Sequence, residues 1–187
     1  MRTHVRKELQ AIEPLDATER EHLADALAWI DSGAGLFRIE KPATPAKHLV
    51  AYFAVVDDDH ILLVDHKKAQ LWLPAGGHVE PGEHPRTTVL RELEEELGFS
   101  AAHRIDAPLM VTCTVTVGLT AGHTDVSLWY VVHANRSQPI EFDASEFNAI
   151  RWFPFSALPL DRCEPHLGRF IQKLSGRGAS VMPDCAP

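Results

Sequence analysis

Cysteine is scarce: Cys113, Cys163 and Cys185 are the three thiols of a 187-residue chain, an odd number at long spacings. Such a set implies no disulfide framework. Cys163 lies near His166, but no second pair completes the four ligands of a tetrahedral site, so no structural zinc is expected. The eleven histidines are scattered and read mostly as surface or loop residues. Long apolar runs are missing too. Nothing approaches the ~20 residues needed to span a bilayer. The polar start, Met1 to Gln10, leads into no apolar stretch with a cleavage site, so no secretory signal is expected. These absences point to the cytoplasm and to no membrane partner. Positive charge is also short, with 18 Lys and Arg against 26 Asp and Glu and a formal net charge of −8. That balance argues against broad electrostatic attachment to a nucleic acid duplex. An acidic protein still binds a polyanion where metal ions mediate the contact.

What is present is the mixture of a globular domain, 45% hydrophobic and 24% charged. The length suits one domain with a helical extension. Residues 1–35 read as helix: Thr18-Glu19-Arg20-Glu21 has capping-box form, and Leu23, Leu27 and Ile30 follow at helical spacing. Gly33 and Gly35 end that region, and Lys41 to Lys47, with two prolines, reads as a linker. Leu49 to Val56 and Ile61 to Val64 are apolar runs around an Asp57-Asp58-Asp59-His60 turn, the pattern of a hairpin. Further strands are expected at Leu71 to Leu73, Met110 to Val117, Val126 to Val132 and Ala149 to Phe153. Helices are expected at Thr87 to Leu97, ended by Gly98, and at Glu164 to Leu174. Strands and helices do not alternate regularly, which favours a mixed sheet packed by helices. The last dozen residues, rich in Gly, Ser and Pro, read as a frayed tail.

The chemistry concentrates between Gly77 and Phe99. On a helical wheel Glu92, Glu95 and Glu96 share one face, Leu90, Leu93 and Leu97 a neighbouring one, and Glu94 points to solvent. Clustered carboxylates repel one another unless a cation joins them, and carboxylate oxygen suits hard cations such as Mg²⁺ and Mn²⁺. Arg91 stands one turn before Glu95, within reach of a charge-assisted hydrogen bond, and Glu83 lies in the preceding loop. An acidic helix alone is more often a solvated face. The glycine-rich approach, Pro74-Ala75-Gly76-Gly77 and Pro81-Gly82, shifts the balance, since its backbone groups can face a ligand.

At this point the sequence resembles a known family. Gly77, Glu83, Arg91, Glu92, Leu93, Glu95, Glu96, Gly98 and Phe99 match every fixed position of the Nudix box at its spacings. The strand order from about His48 to Leu160 also looks like a Nudix domain. The resemblance implies an α/β/α sandwich around a mixed β-sheet, here with an N-terminal helical extension over residues 1–45, the domain over 46–175 and a tail over 176–187. It implies metal binding by Glu92, Glu95 and Glu96, with the Gly76 carbonyl as a further ligand and Arg91 and Glu83 orienting the carboxylates. Members often recruit another acidic residue from a later loop, and Glu146 is the first choice here, although an ordinary loop glutamate explains it equally well.

The implied reaction is hydrolysis of a diphosphate linkage in a nucleoside diphosphate derivative or nucleoside triphosphate, by water attacking a metal-bound phosphate. Glu92 or Glu95 would accept the proton. The alternative is a Nudix-fold module that senses a nucleotide without turnover, a reading disfavoured by the full set of box carboxylates. Substrate selection is far less legible. His123 and Asp125 border the expected pocket and are candidates to contact a phosphate, a metal or a base edge, with a turn cap before the strand as the plainer reading. Trp72, Trp129 and Trp152 would stack on a base or pack in the core. Asp161, Glu164 and His166 read as helix caps. The N-terminal helices would pad the core, cover the site or form a homodimer interface.

Overall fold

The run at Leu49 to Val56 is apolar at nearly every position because both faces of its strand are covered. In the computed structural model, which describes residues 1–41, 44–99, 103–117, 119 and 122–179, this run is the centre of β1 (Lys47–Asp57). Its side chains alternate between two cores. Leu49, Ala51, Phe53 and Val55 face one, while Ala54 and Val56 face the other. The hairpin partner β2 (His60–His66) follows a turn in which Asp58 adopts a positive φ of 50°.

Around β1 the sheet is mixed. β3 (Leu71–Leu73) pairs with β2, and β4 (Ala75–His78) pairs antiparallel with the first half of β1. β7 (Thr124–His133) runs parallel to β1 over its whole length, from Lys47↔Thr124 to Val56↔His133. β5 (Arg104–Ile105) and β6 (Met110–Val115) pair antiparallel with β7, and β8 (Phe147–Pro154) with β2.

Three helices cover one face. α1 (Arg2–Gln10) and α2 (Ala17–Asp31) contribute Val5, Leu9, Ala26 and Ile30, and α3 (Pro85–Leu97) contributes Val89, Leu93 and Leu97. α4 (Leu167–Ala179) covers the other face with Leu167, Phe170 and Ile171 against Trp129 and Phe153. The α/β/α arrangement read from the sequence is therefore the one observed. Of the roles open to the N-terminal helices, padding the core is met directly. Tyr130 Oη on β7 donates to Glu8 of α1 at 3.0 Å, and Lys173 of α4 pairs with the buried Glu19 of α2.

Several expectations need correction. Residues 1–35 hold two helices, α1 and α2, and the capping box sits two residues earlier than Thr18. Asp16 caps α2 by accepting from the Glu19 N–H at 3.0 Å, and Glu19 accepts in return from the Leu15 N–H at 2.7 Å. The glycine-rich approach to the box is strand β4 rather than loop. Glycine is required there by contact: a Cβ on Gly76 would stand 2.5 Å from the Ala51 carbonyl oxygen. α4 continues to Ala179, past Leu174; residues 180–187, with Cys185, lie outside the described residues. Of the eleven histidines, His4 is exposed, His48 and His123 are buried, and the other eight are half-buried.

Candidate active site

α3 begins with His84 as N-cap and Pro85 in its first turn, and ends where Gly98 turns left-handed at φ 64°. Its buried leucines fix the helix on the sheet, which points the opposite flank at β4. Glu92, Glu96 and Gly76 line one cleft of about 640 Å³ together with Arg91, Gly77 and Glu146. Glu146, from the loop before β8, lines the same cleft as Glu92 and Glu96 of α3. Gly77 is needed for the fit, because a Cβ there would fall 1.8 Å from Glu92 Oε1.

The electrostatics of the group are strained. Burial first, then the negative charges of Glu92 and Glu146, push Glu96 up to about 9, against a stabilising N–H from Gly76 at 3.3 Å. Burial also raises Glu92, although Arg91 opposes the shift. Arg91 is the hub: it donates to Glu92 at 2.6 Å, to Glu83 at 3.1 and 3.2 Å, to Glu95 at 3.3 Å and to the His78 carbonyl at 3.3 Å. Glu83 is desolvated by burial, yet Arg91, the Thr88 hydroxyl and the Glu80 N–H together hold its carboxyl below the ordinary range. Glu95 is placed apart from the other box carboxylates. Its side chain is 60% exposed, beside Arg91 and outside the residues lining the cleft.

These features match a known pattern. The NUDIX domain model fits residues 47–174. The chain belongs to the NUDIX family. A putative 8-oxo-dGTP diphosphatase of Bacillus subtilis is 44% identical over 46 residues, covering 25% of this chain and 31% of that protein. The CTP pyrophosphohydrolase of Escherichia coli is 43% identical over 53 residues, 26% and 39% of the two chains. The matched stretches thus span about a third of these curated relatives. Among solved structures, the E. coli dihydroneopterin triphosphate pyrophosphohydrolase superposes with a TM-score of 0.60 at 14% identity, over 69% of this chain and 95% of that one. A MutT NUDIX hydrolase from Burkholderia pseudomallei gives 0.52 at 26% identity, over 68% and 98%.

NUDIX hydrolases depend on metal ions, and the residues present fit a cation. Three carboxylates directed into one cleft, one of them buried and pushed toward its neutral form, are the donor set a hard divalent cation satisfies. No helix among the described residues is long and apolar enough to cross a membrane.

Of the remaining candidates, His123, Asp125 and Glu164 line the same cleft and the three tryptophans do not. His123 and Asp125 do line the cleft, but they pack against His48 and His78. Those two residues went unread in the sequence. His48 opens an apolar strand and His78 ends the glycine-rich one, and neither spacing marks a ligand. Trp129 is fully buried, its indole donating to the Thr112 hydroxyl at 3.0 Å. Trp72 and Trp152 pack against the two cores and do not line the cleft. Glu164 caps the start of α4 through the His166 N–H, as the capping reading expected, and burial raises its carboxyl to about 8.

Proposed function

We propose that this chain hydrolyses a diphosphate linkage in a small nucleotide-type substrate, with Mg²⁺ or Mn²⁺ held by Glu92, Glu96 and Glu146, and with Glu95 and the Gly76 carbonyl as further ligands. The observation that carries this reading is the convergence of Glu92, Glu96 and Glu146 in one cleft, where burial and mutual repulsion favour a bound cation. The cation supplies neutralisation of phosphate charge and activation of water. The side chains do the rest. Glu92, which lines the cleft while Glu95 does not, accepts the proton of the attacking water. Arg91, anchored by Glu83, fixes the Glu92 carboxylate in place. Arg38, Lys41 and Lys68 also line the cleft of this acidic protein and draw in the outer, anionic part of the substrate.

A panel of nucleoside triphosphates, dinucleoside polyphosphates and nucleotide sugars, incubated with and without Mg²⁺, is the test. Cation-dependent release of a mononucleotide or of phosphate is expected, and tight binding without product across the panel would overturn the hydrolase reading in favour of a sensor. Gly77→Ala should separate folding from chemistry. The added methyl displaces the flexible end of Glu92 rather than backbone, so circular dichroism should match the parent while kcat falls at least ~10²-fold, the scale expected for a displaced general base.

A further inference from the structure

The four residues His48, His78, His123 and Asp125 offer one ligand atom each, all within 4.8 Å of one another. The fold assembles them from the same end of three adjacent strands. In the parallel register of β1 and β7, His48 stands opposite Asp125, while β4 pairs antiparallel with the other edge of β1 and brings His78 alongside. His48 and His123 stack at 4.9 Å between ring centroids, and His78 lies 4.9 Å from His48.

The hydrogen bonding leaves this cluster incomplete. His48 Nδ1 lies 2.8 Å from the Pro45 carbonyl oxygen, which can only accept, so the ring proton sits on Nδ1 and the Nε2 lone pair faces inward. His123 is oriented in the same way. Thr116 donates its hydroxyl to the His123 carbonyl at 3.2 Å, which leaves the hydroxyl oxygen to accept from His123 Nδ1, also at 3.2 Å. His48 Nε2, His78 Nε2 and Asp125 Oδ1 are all buried without a hydrogen-bond partner. A lone pair and a carboxylate oxygen that face each other in the interior are costly unless a cation lies between them. One proton shared by His48 and Asp125 would satisfy that pair and leave His78 unmatched.

We propose that His48, His78, His123 and Asp125 bind one transition-metal ion of the Zn²⁺ class, at a site separate from the box carboxylates. Bonds of about 2.0–2.1 Å in a tetrahedron place neighbouring ligand atoms about 3.3–3.4 Å apart. His48 Nε2 and His123 Nε2 each lie 3.3 Å from Asp125 Oδ1, on that spacing. Three imidazoles and one carboxylate select a borderline-soft ion over Mg²⁺, which prefers six oxygens. The carbonyl of Pro45 and the hydroxyl of Thr116 fix the imidazole orientations, as outer partners of metal-bound histidines do. With four protein ligands the site is closed, and its role is to clamp β4 to β1 and β7. Because His78 follows Gly77, the clamp also fixes the strand against which Glu92 rests.

The test uses the whole chain, stripped with a chelator and titrated with Co²⁺ in excess Mg²⁺. The parent and Glu96→Gln should both show the intense visible band of tetrahedral Co²⁺, saturating at one ion per chain and displaced by Zn²⁺. His123→Gln and the shape-preserving Asp125→Asn should lose the band, with affinity lower by at least ~10²-fold. Zn²⁺ should raise the melting temperature of the parent and of Glu96→Gln, and leave Asp125→Asn unchanged. Absence of the band in the parent, or an equal band in Asp125→Asn and His123→Gln, would overturn the site. None of these readouts depends on hydrolysis, so the site stands or falls apart from the proposed activity.

Discussion

Glu96→Gln should reduce cation-dependent diphosphate hydrolysis by at least ~10³-fold while leaving a folded protein. The charge compensation offered by a cation site at a phosphate is worth several kcal/mol, and about 4 kcal/mol corresponds to three decades of rate. Glu96 is the member of the group on which that compensation bears most, since it is buried, flanked by Glu92 and Glu146, and pushed furthest from its ordinary ionisation. Glutamine keeps the shape and can still accept the Gly76 N–H, so β4 should stay in register. The same change at Glu95 should cost less, because that side chain is exposed and stands at the edge of the site beside Arg91. The measurement is kcat at saturating Mg²⁺ for the two variants, alongside circular dichroism. Activity of Glu96→Gln above about a tenth of the parent value would remove Glu96 from the cation site.

The contrast between Glu95 and Glu96 shows where sequence reasoning stops. A helical wheel places Glu92, Glu95 and Glu96 on one flank, but the edge of that flank that meets β4 is decided by packing of Val89, Leu93 and Leu97 against the sheet. β1 and β7 were legible because strands covered on both sides are long apolar runs. β4 was not, because its defining residues, Gly76 and Gly77, are selected by the side chains they lack: a Cβ at either would strike β1 or Glu92. Glycine carries little strand signal, so close backbone approach looks like a turn. The histidine cluster was half legible, and for a different reason: His123 and Asp125 stood out as candidates, while His48 and His78 did not. His48, His78, His123 and Asp125 come from three strands, and only the parallel register of β1 with β7 sets His48 opposite Asp125. Ligands separated by whole elements leave no spacing to read, unlike paired ligands on one loop. The cleft wall formed by Arg38 and Lys41 was missed likewise, since the segment between α2 and β1 looks like a linker until it folds over the site.

Stripped of divalent cations, the protein should lose stability as the pH rises from about 7 to about 9. Below that window His22, His66, His78, His123 and His166, all held below their ordinary value chiefly by burial, act in the opposite sense. The sign follows from Glu96. Its folded-state pKa, about 9, lies above the ordinary carboxylate value of 4.5. Between those values the folded chain retains a proton that the unfolded chain has released, so raising the pH favours unfolding. Glu92, shifted in the same direction chiefly by burial, acts in the same sense. Glu83 is shifted the other way, but its contribution is complete above the ordinary carboxylate range and is flat across this one. Mg²⁺ should flatten the profile, because binding the carboxylates in their charged form removes the advantage of the protonated state and stabilises only the folded chain. The expected separation between chelator-treated and Mg²⁺-loaded protein is on the order of 5 °C or more in melting temperature at pH 9, and small at pH 5. Glu96→Gln should give a shallower profile without any cation, since its amide does not titrate, with Glu164 leaving a residual slope. A steep profile that persists in Glu96→Gln would assign the pH dependence to another buried acid, and Glu164, raised to about 8 at the start of α4, is the residue to replace next.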